Sequence, residues 1–402
     1  MNLKSSSIMK KKLIRLTTVD LSLDKLIPGQ LKYMSSVFDV IGVASDTGLL
    51  DKVRKREGVR MVNIPMEREV SLLKDLRSLI ALFFFFRKER PDILHCNTPK
   101  GSLLALLAGL FAGVPNRIYL VTGLRYQGTT GFFRFILKTM ERISCFCATQ
   151  VIPEGHGVLH TLHADHITNK RLRVLHYGNI NGIDTSYFSR KCLEENFRSA
   201  LGFTDDDFVF IFVGRIVRDK GMNELAEAMK KLISEKRSKQ VKLLLVGSFE
   251  KGNPLYGDNE DFLRNSEHVK FVGWQEDVRP YLAAADALVF PSYREGFPNV
   301  PIQAGALDIP CIVTNINGCN EIIKDNLNGK IIRAPYAQQG KIDSLMENAL
   351  YETMKWFMEH PEEVKRMGRN ARGMITSRYE QKDVWKEILN LYLELVGLNN
   401  NK

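Results

Sequence analysis

Glu295-Gly296-Phe297-Pro298-Asn299-Val300-Pro301-Ile302-Gln303 lies between two unlike segments. The apolar run Ala287-Leu288-Val289-Phe290 before it reads as a buried strand, and Ala304-Gly305-Ala306-Leu307 after it reads as a helix. A charge, a glycine and a proline therefore stand where a strand hands over to a helix. In an open α/β sheet that carboxyl edge is where ligands bind. A helix start offers unpaired N–H groups and a positive dipole end, which suit a phosphate. Pro298 fits the first helical turn because no N–H is needed there.

Strand and helix patterns alternate outward from this point in both directions. Toward the N-terminus of the same half, Phe208–Val213, Val241–Gly247 and Val269–Val272 read as strands, with helices over Met222–Leu232 and Val278–Ala284. Cys311–Thr314 continues the alternation. The first half repeats the theme, with strands at Leu13–Thr18, Val37–Ala44, Ile93–Cys96, Arg117–Thr122 and Thr149–Ile152, and a helix over Leu103–Ala112. The turn-rich Asn179-Ile180-Asn181-Gly182-Ile183-Asp184 separates the two halves. The pattern predicts two α/β domains with mostly parallel sheets, residues 1–184 and 185–380. Residues 381–402 form a terminal helix, whose apolar stripe Val384, Ile388, Leu391, Tyr392 and Leu395 predicts docking back across the domains.

The chain has 402 residues, enough for two domains, and a formal charge of +11 that is unevenly spread. Residues 1–184 carry 27 Lys and Arg against 15 Asp and Glu, while residues 185–402 carry 30 against 31. Nucleic acid, an anionic membrane surface, an acidic substrate or plain solubility would each account for a basic first half. No nucleic-acid recognition motif or aromatic-rich basic stripe accompanies the charge. The six cysteines show no metal-knuckle spacing and read as buried, reduced thiols. Lys10-Lys11-Lys12 is not followed by a secretory apolar segment, and Leu79–Phe86 and Leu103–Val114 fall short of the roughly 20 residues that span a bilayer. These features predict a cytoplasmic protein. The segment Leu72–Arg90, with Phe83 to Phe86 flanked by Lys74, Arg77, Arg87, Lys88 and Arg90, reads either as a core helix or as a basic amphipathic helix lying on lipid.

The chemistry-bearing residues of the second half fall at two strand ends. After Phe208–Val213 comes Gly214-Arg215-Ile216-Val217-Arg218-Asp219-Lys220-Gly221. Gly214 allows a sharp turn and a close ligand, while Arg215 and Lys220 supply a guanidinium fork and a point charge suited to a diphosphate. Joined with Glu295, whose carboxylate accepts from sugar hydroxyls, and Gln303, which reaches a ribose, the set asks for a nucleotide-sugar. The cations would hold the charge on the departing nucleoside diphosphate. Asp205-Asp206-Asp207 contains a literal D-x-D that could ligate a metal, but reads more simply as a polar turn before a strand. His156, His160 and His163 share a helical face, with His166 nearby; without H-E-x-x-H or a cysteine cluster they read as surface histidines rather than a zinc site.

Taken together, these residues resemble the GT-B glycosyltransferases, specifically the large retaining family four, also called the group 1 glycosyltransferases, of the bacterial surface-polysaccharide type. The matching pieces are Gly214-Arg215-x4-Lys220-Gly221, Val272-Gly273-Trp274, Tyr281-x3-Ala285-Asp286, Phe290-Pro291-Ser292 and Glu295-Gly296-Phe297-Pro298-Asn299-Val300. Asn317-Gly318-x2-Glu321-Ile322-Ile323 and Asn328-Gly329 follow, and the first half adds His95-x-Asn97-x-Pro99-Lys100 and Gly178-x2-Asn181-Gly182-Ile183-Asp184. The resemblance implies two Rossmann-like domains facing a cleft, an acceptor-binding first domain and a donor-binding second one. It implies transfer with retention, without a metal or other cofactor.

Carried over residue by residue, the resemblance makes Arg215 and Lys220 the diphosphate pair and Glu295 the acidic residue on the donor sugar, these three being the candidate catalytic residues. Gly214, Gly296, Phe297, Asn299, Val300 and Gln303 complete the donor side. His95, Asn97, Lys100 and Thr122 are the acceptor-side candidates, although a packed histidine is an equally natural reading of His95. Three departures stand out. Gln303 replaces a glutamate that usually grips the ribose, and an amide can still bond a hydroxyl. Thr122 stands where many members have a histidine, so no histidine-assisted step carries over. Asp20–Gly29 occupies the place of a glycine-rich loop with only Gly29.

The sequence thus predicts sugar transfer from a nucleotide-diphospho-sugar, UDP-linked ahead of GDP-linked, to a saccharide or lipid-linked saccharide in polysaccharide biosynthesis. An anionic membrane on the inner face of the cell membrane is a further expected partner, and nucleic acid is not. The alternatives are a nucleotide-sugar epimerase of the same fold and a basic nucleic-acid-binding protein.

Overall fold

The computed structural model describes residues 10–67, 71–192, 194, 196–235, 240–335 and 341–398. It divides into two compact units, one of residues 1–182 with 382–402, the other of residues 183–381.

The first unit begins with β1 (Lys12–Val19), α1 (Asp20–Leu26), α2 (Gln30–Ser35), β2 (Asp39–Ser45), α3 (Leu50–Glu57) and β3 (Arg60–Asn63). It continues through α4 (Leu72–Glu89), β4 (Ile93–Cys96), α5 (Pro99–Ala112), β5 (Asn116–Val121), α6 (Gly131–Cys147), β6 (Gln150–Pro153) and α7 (His156–Ala164). The six strands form a parallel sheet in the order β3-β2-β1-β4-β5-β6. The order reverses beside β1, a switch point of the doubly wound kind. Alternate residues of β1 face opposite layers. Ile14 and Leu16 join a core with Leu82 of α4, Leu104 of α5 and Leu137 of α6, whereas Leu13 joins Leu23 of α1, Leu31 of α2 and Val53 of α3.

The second unit contains α8 (Phe197–Ala200), β7 (Asp207–Val213), α9 (Met222–Ser234), β8 (Gln240–Val246), α10 (Asn259–Asn265), β9 (Val269–Phe271) and α11 (Arg279–Ala283). Then come β10 (Ala287–Phe290), α12 (Asn299–Ala306), β11 (Cys311–Thr314), α13 (Cys319–Ile322), β12 (Gly329–Ile332), α14 (Ser344–Glu359) and α15 (Pro361–Tyr379). Its sheet is also six-stranded and parallel, in the order β12-β11-β10-β7-β8-β9. Every residue of β7 is buried, as expected of a central strand covered on both faces.

The last helix, α16 (Gln381–Leu395), places Val384, Ile388, Leu391 and Tyr392 in the core layer of the first unit, on the α1–α3 side. Two edge strands, β3 and β12, and the long helices α14 and α15 were not distinguished in the sequence. Both strands are four residues long and only partly buried, so neither carries a strong apolar pattern. Cys96, Cys145, Cys147, Cys311 and Cys319 are buried free thiols, and burial raises each of them. The side chain of Cys192 lies outside the described residues.

Candidate active site

The carboxyl edge of the second sheet is built by backbone that tolerates no added atoms. Gly214 follows β7 directly at φ 151°, and its carbonyl oxygen occupies the space a Cβ on Gly247 would need. A Cβ on Gly221, at φ 71°, would fall on the Pro291 carbonyl oxygen, so the loop after β7 is pressed against the loop after β10. The Tyr293 N–H donates to the Asp219 carbonyl at 2.9 Å and locks the two loops together. Arg294 pairs with Asp219 at 3.0 Å across the same seam. Burial opposes the Asp219 charge, but the hydrogen bonds from Arg294 and Asn253 outweigh it and keep that carboxyl below its ordinary range.

This seam joins Lys220 to Glu295, 75 residues apart, in a direct ion pair with both side chains 16% exposed. Ser292 Oγ donates to the same Glu295 oxygen at 2.9 Å, and the Lys220 ammonium lies 5.5 Å from the centre of the Phe290 ring. The Ser292 carbonyl accepts from Thr314 Oγ1 at 2.5 Å, which ties the loop to β11. The sequence singled out Pro291-Ser292 only as part of a family pattern; the contribution of Ser292 to orienting Glu295 depends on the fold.

Helix α12 starts immediately beyond this pair. Pro298 occupies the position before the first helical residue, with Asn299 and Val300 forming the first turn and Gln303 one turn further on. Phe297 is buried and packs its ring 5.7 Å from that of Tyr379, and Gly296 lies where a Cβ on Gly318 would collide with its carbonyl. The first-turn N–H groups and the helix dipole thus start beside a lysine–glutamate pair at a parallel sheet's carboxyl edge. Arg215 is the outlier of the donor set. Its side chain is 57% exposed and pairs with Glu250 at 2.9 Å.

In the first unit the acceptor-side candidates turn inward. His95 is fully buried in β4, and its Nδ1 lies 2.6 Å from the Tyr392 hydroxyl of α16. Burial, reinforced by the Arg15 charge on the neighbouring strand, holds its imidazole well below the usual range. Asn97 is buried, and Thr122 Oγ1 donates to its carbonyl at 3.0 Å. Lys100, in the first turn of α5, pairs with Asp75 at 2.6 Å. Asp20 opens α1 directly after β1, where its carboxylate accepts from the Thr47 and Leu49 N–H groups at 2.8 Å each, so this edge begins with a buried acid rather than a glycine-rich loop. Among the other sequence candidates, Asp207 closes a turn by accepting from Thr204 N at 2.7 Å, and His156, His160 and His163 lie on α7.

Comparison with known proteins identifies the family. Residues 194–374 match the family described as "Glycosyl transferases group 1", and residues 36–178 match the "Glycosyl transferase 4-like domain". The capsular polysaccharide biosynthesis glycosyltransferase CapM of Staphylococcus aureus is 32% identical over 388 residues, covering 95% of this chain and 97% of that protein. The chain belongs to the group 1 glycosyltransferases. It is also 28% identical, over 89% of its length and 90% of the other's, to the Escherichia coli UDP-Gal:alpha-D-GlcNAc-diphosphoundecaprenol alpha-1,3-galactosyltransferase. The solved structure of Anabaena Alr3699/HepE in complex with UDP and glucose superimposes with a TM-score of 0.74 at 16% identity, covering 96% of this chain and all of that one. The fold is GT-B, and membership of the family decides for glycosyl transfer over the epimerase and nucleic-acid readings.

Proposed function

We propose that the second unit binds a nucleoside-diphosphate sugar at the edge formed by Lys220, Glu295 and the start of α12, and that its sugar passes with retention to a lipid-linked saccharide in polysaccharide assembly. The Lys220–Glu295 pair carries this reading. It places a cation and an anion side by side, with a helix start adjacent. When a donor enters, Lys220 exchanges Glu295 for a diphosphate oxygen, and Glu295 is released to accept from sugar hydroxyls. As the bond from the anomeric carbon to the diphosphate breaks, its electron pair goes to the leaving phosphate; the acceptor hydroxyl oxygen bonds that carbon from the same face, and its proton leaves on a diphosphate oxygen. Lys220, Arg215 swung from Glu250, and the N–H groups of Asn299 and Val300 then stabilise the growing charge. Gln303 bonds the ribose through its amide.

A UDP-linked donor is supported by the E. coli relative, whose name specifies UDP-Gal, and by the Anabaena protein solved with UDP. A lipid-linked acceptor is supported by the diphosphoundecaprenol acceptor in the former's name, and capsule assembly by the S. aureus relative. Thr122, the half-buried one of the acceptor-side candidates, would line the acceptor side at the carboxyl edge of the first sheet, oriented by the buried Asn97 carbonyl, while Lys100 stays held by Asp75. Transfer would take place on the cytoplasmic face of the cell membrane.

The test is a thermal-shift screen of UDP- and GDP-sugars, followed by mass analysis of the product on a polyprenyl-diphosphate saccharide. A ligand at about 100 times its Kd stabilises the folded state by about 2.7 kcal/mol, a readily measured shift. A UDP-sugar should stabilise the protein and add one sugar to the lipid-linked acceptor. Stabilisation by GDP-sugars alone, or transfer only to a free saccharide, would overturn the donor or the acceptor assignment respectively.

A further inference from the structure

Arg15, inside β1, is fully buried, and among the described residues its Nε, Nη1 and Nη2 have no hydrogen-bond partner. A guanidinium does not shed its proton in a protein, and an unmatched buried charge costs far more than an unmatched neutral group. Its surroundings follow from strand register. Arg15 pairs with His95 of β4 in the parallel ladder, and Leu13 and Ile93, two residues before each, belong to the core layer that includes α16. Side chains alternate along a strand, so Arg15 and His95 enter that layer side by side. Tyr392 of α16 faces them from the other wall. Its hydroxyl meets His95 Nδ1 at 2.6 Å, with the two rings edge to face and 5.7 Å between centres. His95 Nε2 has no partner, and neither does either amide atom of the buried Asn97, which follows β4 directly.

The Arg15 charge has no counterweight in this layer. The groups whose charge bears on it are Tyr392, Cys96 and His95. Burial holds the imidazole neutral and raises both the Tyr392 hydroxyl, to about 12, and the Cys96 thiol, so all three are uncharged at neutral pH. Donors also predominate. When the Tyr392 hydroxyl donates to Nδ1, the imidazole carries its proton on Nε2, and this N–H joins the guanidinium as a second donor. Donors gathered around an uncompensated cation suit an acceptor that brings negative charge. Water would satisfy the N–H groups but leave the charge in a low-dielectric layer with Leu13, Ile93, Val384 and Ile388.

We propose that Arg15 and His95, closed over by Tyr392, form a binding site for a small inorganic anion of chloride size, which braces α16 against β1 and β4. The ligand class follows from enclosure. Arg15, His95 and Tyr392 are all fully buried, which suits a small ion stripped of its water rather than a nucleotide or a saccharide. The anion would join three segments that are far apart in the chain. Its occupancy would therefore be felt in α16, the helix that returns to the first unit after the chain has built the second. The site goes beyond the transfer reading and does not depend on it.

The test is thermal unfolding of the full chain in sodium gluconate, as chloride or bromide replaces gluconate at a constant ionic strength of about 0.1 M, so that general screening stays fixed. A ligand bound only by the folded chain raises its stability. The wild type should gain about 2–4 °C in Tm in a saturable way, and the amides of α16 should exchange more slowly with solvent. Arg15→Met should lose both responses. In gluconate it should unfold at or above the wild-type temperature, because replacing a buried charge with an apolar residue is often neutral or stabilising. Wild-type crystals grown in bromide should show an anomalous peak within hydrogen-bond reach of the Arg15 guanidinium and His95 Nε2, a readout that needs no variant to fold. Equal melting in halide and gluconate, or a halide response that survives in Arg15→Met, would overturn the site. A wild type indifferent to halide beside a destabilised Arg15→Met would assign the guanidinium to ordered water instead. Anomalous peaks confined to the surface would mean an adventitious ion only, and would equally overturn the proposal.

Discussion

The carboxyl edges of the two sheets share a topology and differ in how they use charge. In the second unit, glycines with no room for a Cβ press the loops after β7 and β10 together, and the resulting ion pair stays partly open to solvent. In the first unit, His95 meets a tyrosine from α16, and Asp20 and Lys100 are taken up by Thr47 and Asp75. Arg15, paired in register with His95, is fully buried. The second edge leaves its charged pair partly open to solvent, whereas much of the first edge spends its polar groups on holding the unit together. On the proposed reading, similar residue types would serve chemistry at one edge and architecture at the other.

The largest predicted effect tests the open edge. Lys220→Ala should lower kcat/KM for sugar transfer by about 10²–10³-fold, the range for removing one donor to a developing negative charge. Glu295→Gln should give a similar loss while keeping the hydrogen bond from Ser292. Both variants should retain the wild-type circular dichroism spectrum, since the pair is not in the core. Near-wild-type transfer by either variant would remove that residue from the site.

The closed edge should respond in stability rather than chemistry. His95→Leu deprives the buried Tyr392 hydroxyl of its partner, and an orphaned buried polar group costs about 1–3 kcal/mol. Urea unfolding should register that loss, with kcat and its pH profile unchanged when transfer is assayed on the folded fraction. A shifted pH profile would show that His95 takes part in the chemistry and that the two edges are more alike than their burial indicates.

The legibility of the two edges follows from the same contrast. Ile93–Cys96, Ala287–Phe290 and Cys311–Thr314 match the observed strands residue for residue, because central parallel strands are continuous apolar runs. Glycines, a lysine and a glutamate at strand ends also announce themselves locally, so the donor-side candidates could be named from short strings. His95 and Tyr392 are 297 positions apart, and no local pattern reports that they meet. Phenylalanines are equally silent about direction. Of the run Phe83–Phe86 on α4, Phe84 alone is strongly exposed, whereas α6, whose phenylalanines are not in a run of four, exposes Phe132, Phe133, Phe135 and Phe146. The packing of α4 and α6 against α5 decides which residues face outward, and that depends on partners distant in sequence.

The smallest effect concerns Glu141, an acid on α6 that points inward. Burial raises its carboxyl from an ordinary 4.5 to about 7, partly offset by the hydrogen bond from Tyr119. Between pH 4.5 and pH 7 the folded chain therefore keeps a proton that the unfolded chain has released. Stability falls as pH rises through that window and is level with respect to this group above it. Glu141→Gln removes the titration while keeping an acceptor for Tyr119. The wild type should lose stability on the order of 1–2 kcal/mol relative to this variant between pH 5 and pH 7.5, less than the full separation implies because a charged carboxylate can draw in water. Parallel unfolding curves for the two proteins across the window would mean that Glu141 is already ionised when folded. In that case α6 would carry a buried negative charge behind its exposed phenylalanines.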